Sequence, residues 1–158
     1  MSDYPFEWKG PGLLVDALKR PLESISLMLD KHGKVETVSF WTDRANGVRV
    51  HSNMHDVAEK IEVGVLSFEL TSQTAEGEQL VQFDHLLTPY LVSKLTVLES
   101  GKVLESGLDL RFSDGQEFLV VPSDFPCFLA VKAKGIDLPK TLPNTEYSLD
   151  RYDALDLS

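Results

Sequence analysis

Residues 106–121, with the sequence SGLDLRFSDGQEFLVV, carry the clearest fold signal in the chain. Apolar and polar residues alternate up to Phe112, and the dipeptide Asp114-Gly115 separates this run from a second apolar run. An Asp-Gly pair accepts the positive φ angles of a tight turn, whose twist matches that of paired antiparallel strands. The stretch therefore predicts a β-hairpin. Its first strand has two faces, formed by Leu108, Leu110 and Phe112 on one side and by Asp109 and Arg111 on the other.

Strand-like alternation recurs through most of the chain. Besides the hairpin, such runs cover residues 22–29, 35–41, 48–50, 61–70, 79–87, 90–99 and 128–131. A short helix is predicted for residues 13–19, where Pro21 ends it, and residues 53–60 are predicted as a helical turn or a loop. The sequence therefore predicts an α+β, mainly β, fold: an antiparallel meander of about seven to nine strands with one or two short helices.

Length and composition predict a single domain over residues 1–158. Hydrophobic residues make up 42% of the 158, which is enough for a core, and no linker divides the chain. Residues 137–158 form a polar, acidic C-terminal segment. Cys127 is the one cysteine, so an intrachain disulfide is excluded, and we expect it to be a small buried residue. The first residues lack the pattern of a secretory signal, and we expect a cytoplasmic protein that does not span a membrane.

The net charge of the chain indicates which classes of partner it can bind. The sequence has 25 Asp and Glu against 15 Lys and Arg, a formal net charge of −10. Nucleic acids and anionic lipids are polyanions, so this excess disfavours both as partners. It favours a basic protein. The alternative is that the acidity only keeps the chain soluble.

Carboxylates and tyrosines are concentrated near the C-terminus. Glu146, Asp150 and Asp153 alternate there with Tyr147 and Tyr152. Tyrosine supplies apolar contact area at low entropic cost, and carboxylates attract a basic surface. We therefore predict these five residues as part of a partner-binding surface. Three carboxylates on predicted strands are added to this set: Glu62, Glu69 and Asp109. The alternative is a solubilising tail.

Motifs for catalysis, metal binding or a cofactor are absent from the sequence. His51 and His55 have the spacing of two metal ligands on a helix, but Ser52 occupies the position where a zinc protease has its catalytic Glu. No G-x-S-x-G motif and no glycine-rich phosphate loop occurs. We therefore predict no metal, no cofactor and no enzymatic activity. The alternative is a strand-rich enzyme or small-molecule-binding domain with a pocket that contains histidines such as His51, His55 and His85.

Two stretches resemble small bacterial immunity proteins. They are residues 107–131, GLDLRFSDGQEFLVVPSDFPCFLAV, and residues 48–65, which include VRVHS and HDVAEKIEVGV. The resemblance is to immunity proteins of contact-dependent growth inhibition and related polymorphic toxin systems. It implies a cytoplasmic protein that neutralises one cognate toxin in a one-to-one complex. Such toxins are often nucleases with basic clefts, so an acidic inhibitor is expected to occlude the toxin's active site. The resemblance assigns no individual binding residue.

Overall fold

The computed structural model describes residues 7–59, 61–74, 76–139 and 144–157. Within these residues there are ten β-strands, one α-helix and one 3₁₀ turn. The helix is α1 (Pro11–Leu18) and the 3₁₀ turn covers Leu149–Arg151. The strands are β1 (Leu22–Leu29), β2 (Val35–Trp41), β3 (Gly47–Ala58), β4 (Ile61–Thr71), β5 (Gln79–Leu87), β6 (Pro89–Glu99), β7 (Lys102–Phe112), β8 (Glu117–Pro122), β9 (Leu129–Lys134) and β10 (Asp153–Asp156).

The strands form two antiparallel meanders, β1 to β4 and β6 to β9. Strand β2 joins them, because Val35 at its start pairs with Leu129 of β9 while residues 38–41 pair with β3. Strand β5 pairs with β1, and β10 pairs with β6. Among the described residues the sheet is therefore open, with the order β10-β6-β7-β8-β9-β2-β1-β5 and with β3 and β4 attached beside β2. The predicted mainly antiparallel fold is confirmed.

The predicted number of strands is too low, because β10 lies in the segment predicted to be only polar and acidic. Its sequence, DALD, shows no alternation that would indicate a strand, and all four residues are exposed. Pairing with residues 93–96 of β6 supplies the hydrogen bonds that hold it extended. Tertiary contact, rather than local propensity, makes this strand.

Strand β3 corrects a second prediction, the helical turn or loop at residues 53–60. Residues 53–58 continue β3. The reason is the long hairpin with β4, in which Asn53 pairs with Val65 and His55 pairs with Val63. Lys60 lies outside the described residues. The hydrogen bonds between β3 and β4 are made by backbone groups, so the polar side chains at the end of β3 do not prevent this pairing.

The predicted hairpin forms the centre of the fold. Leu108, Leu110 and Phe112 are buried in the main core, while Asp109 is half-buried and Arg111 is exposed, as the alternation predicts. Across this core the rings of Phe40 and Phe118 meet edge to face, 5.7 Å apart. Residues 108–111 pair with residues 117–120 across the Asp114-Gly115 turn.

Helix α1 closes one side of the main core. The predicted helix is confirmed, and Pro11 at its first turn has the fixed φ that favours helix initiation. Leu14 and Leu18, one turn apart, are both buried. The preceding residue Trp8 packs its ring against Phe68 at 4.9 Å, so this short segment is anchored on β4.

Cys127 is exposed, so the prediction that it is a buried core residue is wrong. It has a φ of 69°, and the Phe128 N–H donates to the Phe125 carbonyl oxygen across the turn at 3.2 Å. This is the geometry of a turn with Pro126 second and a positive φ at the third residue. The turn directs the thiol outward, although its sequence neighbours are apolar.

Strand β4 lies close against β7 and β8 at Gly64. The Ser106 hydroxyl, in β7, donates to the Gly64 carbonyl oxygen at 3.0 Å. A Cβ atom on Gly64 would lie 2.5 Å from Ser52 Oγ and 2.6 Å from the Cβ of Pro122. The absence of a side chain at position 64 therefore allows the two meanders to pack together.

We predict that Gly64→Ala lowers the free energy of unfolding by about 1–3 kcal/mol, because the added methyl group overpacks this contact. Gly12→Ala is the matched control, since a Cβ there meets nothing within 4 Å. We expect the control to leave stability unchanged or to raise it by up to about 1 kcal/mol, as alanine favours a helix more than glycine does. Urea denaturation measures both values. Equal stabilities for the two variants would contradict this account of the contact.

Candidate functional site

The C-terminal segment, defined here as residues 144–157, crosses the face of the second meander that lies opposite the main core. It starts beside the end of β8, where the Glu146 N–H donates to the Pro122 carbonyl oxygen at 2.9 Å. It ends as β10 on the edge of β6, and the Leu157 N–H donates to the Val92 carbonyl oxygen at 2.7 Å. The segment therefore covers sheet surface rather than projecting into solvent.

Tyr152 fills the space beneath the segment. Its ring packs against two small apolar clusters on this face of the sheet. The buried members of these clusters are Val63, Val97 and Leu104 in one and Leu95, Val121 and Ala130 in the other. The hydroxyl of Tyr152 is buried and lies close to the backbone of Tyr147. Burial, followed by the nearby charge of Glu146, raises the pKa of Tyr152 well above its usual range.

Glu146 binds the backbone of β4. Both of its carboxyl oxygens accept from the Gly64 N–H, at 3.2 and 3.1 Å. Burial raises the pKa of Glu146 to about 7, and the negative charge of Glu99 acts in the same direction. The Gly64 hydrogen bond opposes the shift, but more weakly than burial. At neutral pH the carboxyl is therefore protonated in a large fraction of molecules.

Tyr147, Glu99 and Arg151 form the outer part of the same cluster. The guanidinium of Arg151 lies 4.6 Å from the centre of the Tyr147 ring and 3.8 Å from a carboxylate oxygen of Glu99. It also donates to the Leu98 carbonyl oxygen at 2.9 Å. Burial, with the charges of Glu146 and Glu99 next, raises the pKa of Tyr147. The positive charge of Arg151 is therefore partly balanced by Glu99 and contacts the Tyr147 ring.

The structure brings together some of the predicted partner-binding residues and separates others. Glu146, Tyr147 and Tyr152 form a partly buried cluster, while Asp150 and Asp153 are exposed beside it. The remaining three are Glu62 and Glu69, both exposed on β4, and Asp109, whose carboxylate pairs with Arg111 at 3.1 Å. About 16 Å of strand separates Glu69 from Gly64, because each residue advances about 3.3 Å.

The sequence prediction missed the partners of this cluster. Gly64, Glu99 and Arg151 were not assigned to it, although two of them bind its members directly. Gly64 and Glu146 are 82 positions apart, and Arg151 and Leu98 are 53 apart. No local pattern relates residues at such distances, because only the folded chain brings them together.

His51 and His55 do not form a shared metal site. His51 and His55 both lie in β3, where residues four apart are about 13 Å apart along the strand and cannot bind one ion. The side chain of His85 lies outside the described part of the chain. Among the described residues, no three His, Cys, Asp or Glu side chains are grouped as metal ligands.

Five of the surface cavities among the described residues have volumes of about 250–390 Å³. None of these five is lined by Glu146, Tyr147 or Tyr152, and none is lined by a histidine. Chemically, the arrangement provides a largely buried carboxyl that exchanges a proton near neutral pH and, beside it, the exposed carboxylates of Asp150 and Asp153.

Comparisons with protein-family models, with curated proteins and with solved structures find no match to the chain. Within the described residues, no helix combines the length and apolar character needed to cross a membrane.

We predict that Tyr152→Phe changes the free energy of unfolding by about 1 kcal/mol or less, because the ring that packs against both apolar clusters is retained. Tyr152→Ala removes the ring from both apolar clusters, and we expect it to cost about 2–4 kcal/mol. Urea denaturation of the two variants separates the hydroxyl from the ring. A large loss in Tyr152→Phe would contradict the packing role.

Proposed function

We propose that this chain is an immunity protein that binds and neutralises a cognate toxin in the cytoplasm. The toxin is a basic nuclease domain, and the acidic surface of the chain occludes its active site. The observation that carries the proposal is the exposure of Asp150 and Asp153 beside a cation, Arg151, that is already bound to Glu99 and Tyr147. The surface around Asp150 and Asp153 therefore presents negative charge that Arg151 does not fully cancel.

Apolar residues support the same surface. Leu155 is 56% exposed and lies on β10, the strand that begins with Asp153. Leu98 is 61% exposed and lies on the neighbouring strand β6. Protein interfaces combine apolar contact area with a polar rim. We call this set, formed by Leu98, Asp150, Asp153 and Leu155, the acidic margin.

The charge of the whole chain suits such a role. A net charge of −10 produces a negative field that attracts a basic surface from a distance. Complementary charge chiefly increases the rate of association, which benefits a cell that must capture a toxin before it acts. The same field repels nucleic acid, so a nuclease inhibitor of this kind copies the charge of the substrate without binding it.

The class of function is tested by co-expression in a bacterial host. The partners are the C-terminal domains of secreted proteins encoded next to the gene of this chain. We expect one of these domains to stop growth when expressed alone and to permit growth when the chain is present. Protection against none of them would contradict the immunity role.

We predict that reversal of charge on the acidic margin slows capture of that toxin domain. The variant Asp150→Lys with Asp153→Lys is expected to lower the association rate constant at low salt by about tenfold or more, because complementary charge governs encounter. Surface plasmon resonance at two salt concentrations measures the rates, and the difference is expected to shrink at high salt.

The matched control is Glu36→Lys with Glu76→Lys. Both residues are exposed outside the acidic margin, and the control changes the net charge by the same amount. We expect a smaller loss of rate in the control. Equal rates for the two double variants would show that the net charge, rather than the acidic margin, steers the toxin.

A further inference from the structure

The C-terminal segment covers an apolar face that would be exposed without it. Beneath the segment lie the buried side chains of Leu95, Val121 and Ala130, with the ring of Tyr152 packed against them. These residues point away from the main core, because strand residues alternate between faces and Val120 and Val131 occupy the core side. The sheet therefore has a second apolar surface whose cover is a short stretch of chain.

A small number of contacts attach the first half of the segment. Its backbone meets β8 and the following residues in the hydrogen bonds from Glu146 to Pro122 and from Asp124 to Asn144, the latter at 3.3 Å. The side-chain attachment to β4 is the carboxyl of Glu146 on the Gly64 N–H. Among the described residues, no lysine or arginine forms an ion pair with Glu146.

We propose that the C-terminal segment is a detachable strap. The uncharged carboxyl of Glu146 stabilises its attachment alongside the pairing of β10 with β6, and loss of the proton makes opening more frequent. Release uncovers the apolar face formed by Leu95, Val121 and Ala130. This opening takes place in the folded chain alone and requires no partner.

The groups that face Glu146 explain why its charge opposes attachment. The Glu99 carboxylate of β6 adds a second negative charge, and the rings of Tyr147 and Tyr152 surround the site with apolar area. Arg151 lies on the outer side, against Tyr147 and Glu99. The Gly64 N–H of β4 favours the charged form, but burial outweighs it. A deprotonated Glu146 is therefore buried without an ion-pair partner among the described residues.

The direction of the pH effect follows from the two protonation equilibria. The pKa of Glu146 is about 7 in the attached state, against an ordinary value of 4.5 in a detached, solvated segment. The attached state binds the proton more tightly, so attachment is strongest below the ordinary pKa and weakens as the pH rises towards 7. Above the attached-state pKa the weakening levels off. Between pH 6 and pH 8 the equilibrium constant for opening is expected to rise about tenfold.

Hydrogen exchange of the full chain tests the strap. Protection factors, corrected for the intrinsic pH dependence of exchange, are measured for the amides of residues 145–156 at pH 6 and pH 8. We expect these factors to fall about tenfold at pH 8, while the amides of β8 keep theirs. Unchanged protection in the segment, or an equal loss of protection throughout the chain, would overturn the proposal.

Two variants assign the effect to Glu146. In Glu146→Gln the side chain keeps an oxygen that accepts from the Gly64 N–H, but it cannot ionise. The protection factors of the segment in this variant are therefore expected to differ by less than twofold between pH 6 and pH 8. Glu99→Gln removes one source of the raised pKa, and we expect a rise in opening that is smaller than in the natural chain. A full tenfold effect in Glu146→Gln would show that another group controls the segment.

Discussion

At Gly64 strand β4 contacts four other parts of the chain at once: β3, β7, β8 and the C-terminal segment. Its carbonyl oxygen accepts from Ser106 of β7, and its N–H donates to the carboxyl of Glu146. Ser52 and Pro122 lie where a side chain at position 64 would have to fit. Because a side chain at this position would separate β4 from β8, the packing of these two strands and the Glu146 contact both depend on a single close backbone approach.

The electrostatic character of the C-terminal segment follows from this packing. Glu146 is drawn into the sheet, where burial favours its neutral form, whereas Asp150 and Asp153 remain in water. Arg151 is held by Glu99 and Tyr147. One segment thus combines a proton-exchanging contact inside with negative charge outside. A partner attracted by the outer charge would meet apolar side chains at the same margin, such as Leu155.

Much of the fold could be predicted because local alternation determines which face of a strand is buried. The hairpin around Asp114-Gly115 buries the predicted face of its first strand. The helix before Pro21 forms, and β1 and β2 have the predicted bounds, although residues 24–27 and 38–41 are buried on both faces. The errors have different causes. Strand β10 is extended because the distant strand β6 pairs with it, whereas the end of β3 is extended by its hairpin with the neighbouring strand β4. Cys127 is exposed because the local turn at residues 125–128 gives it a positive φ.

The acidity of the chain, its mainly antiparallel strands and the concentration of carboxylates and tyrosines near the C-terminus can all be recognised in the amino-acid sequence. Which of those groups are buried together depends on the folded chain. It placed Glu146 on Gly64, 82 positions away, and left Glu69 and Asp109 apart from the cluster. The physical reason is that burial and long-range contact set the protonation of a carboxyl, and neither property belongs to a residue before the chain has folded.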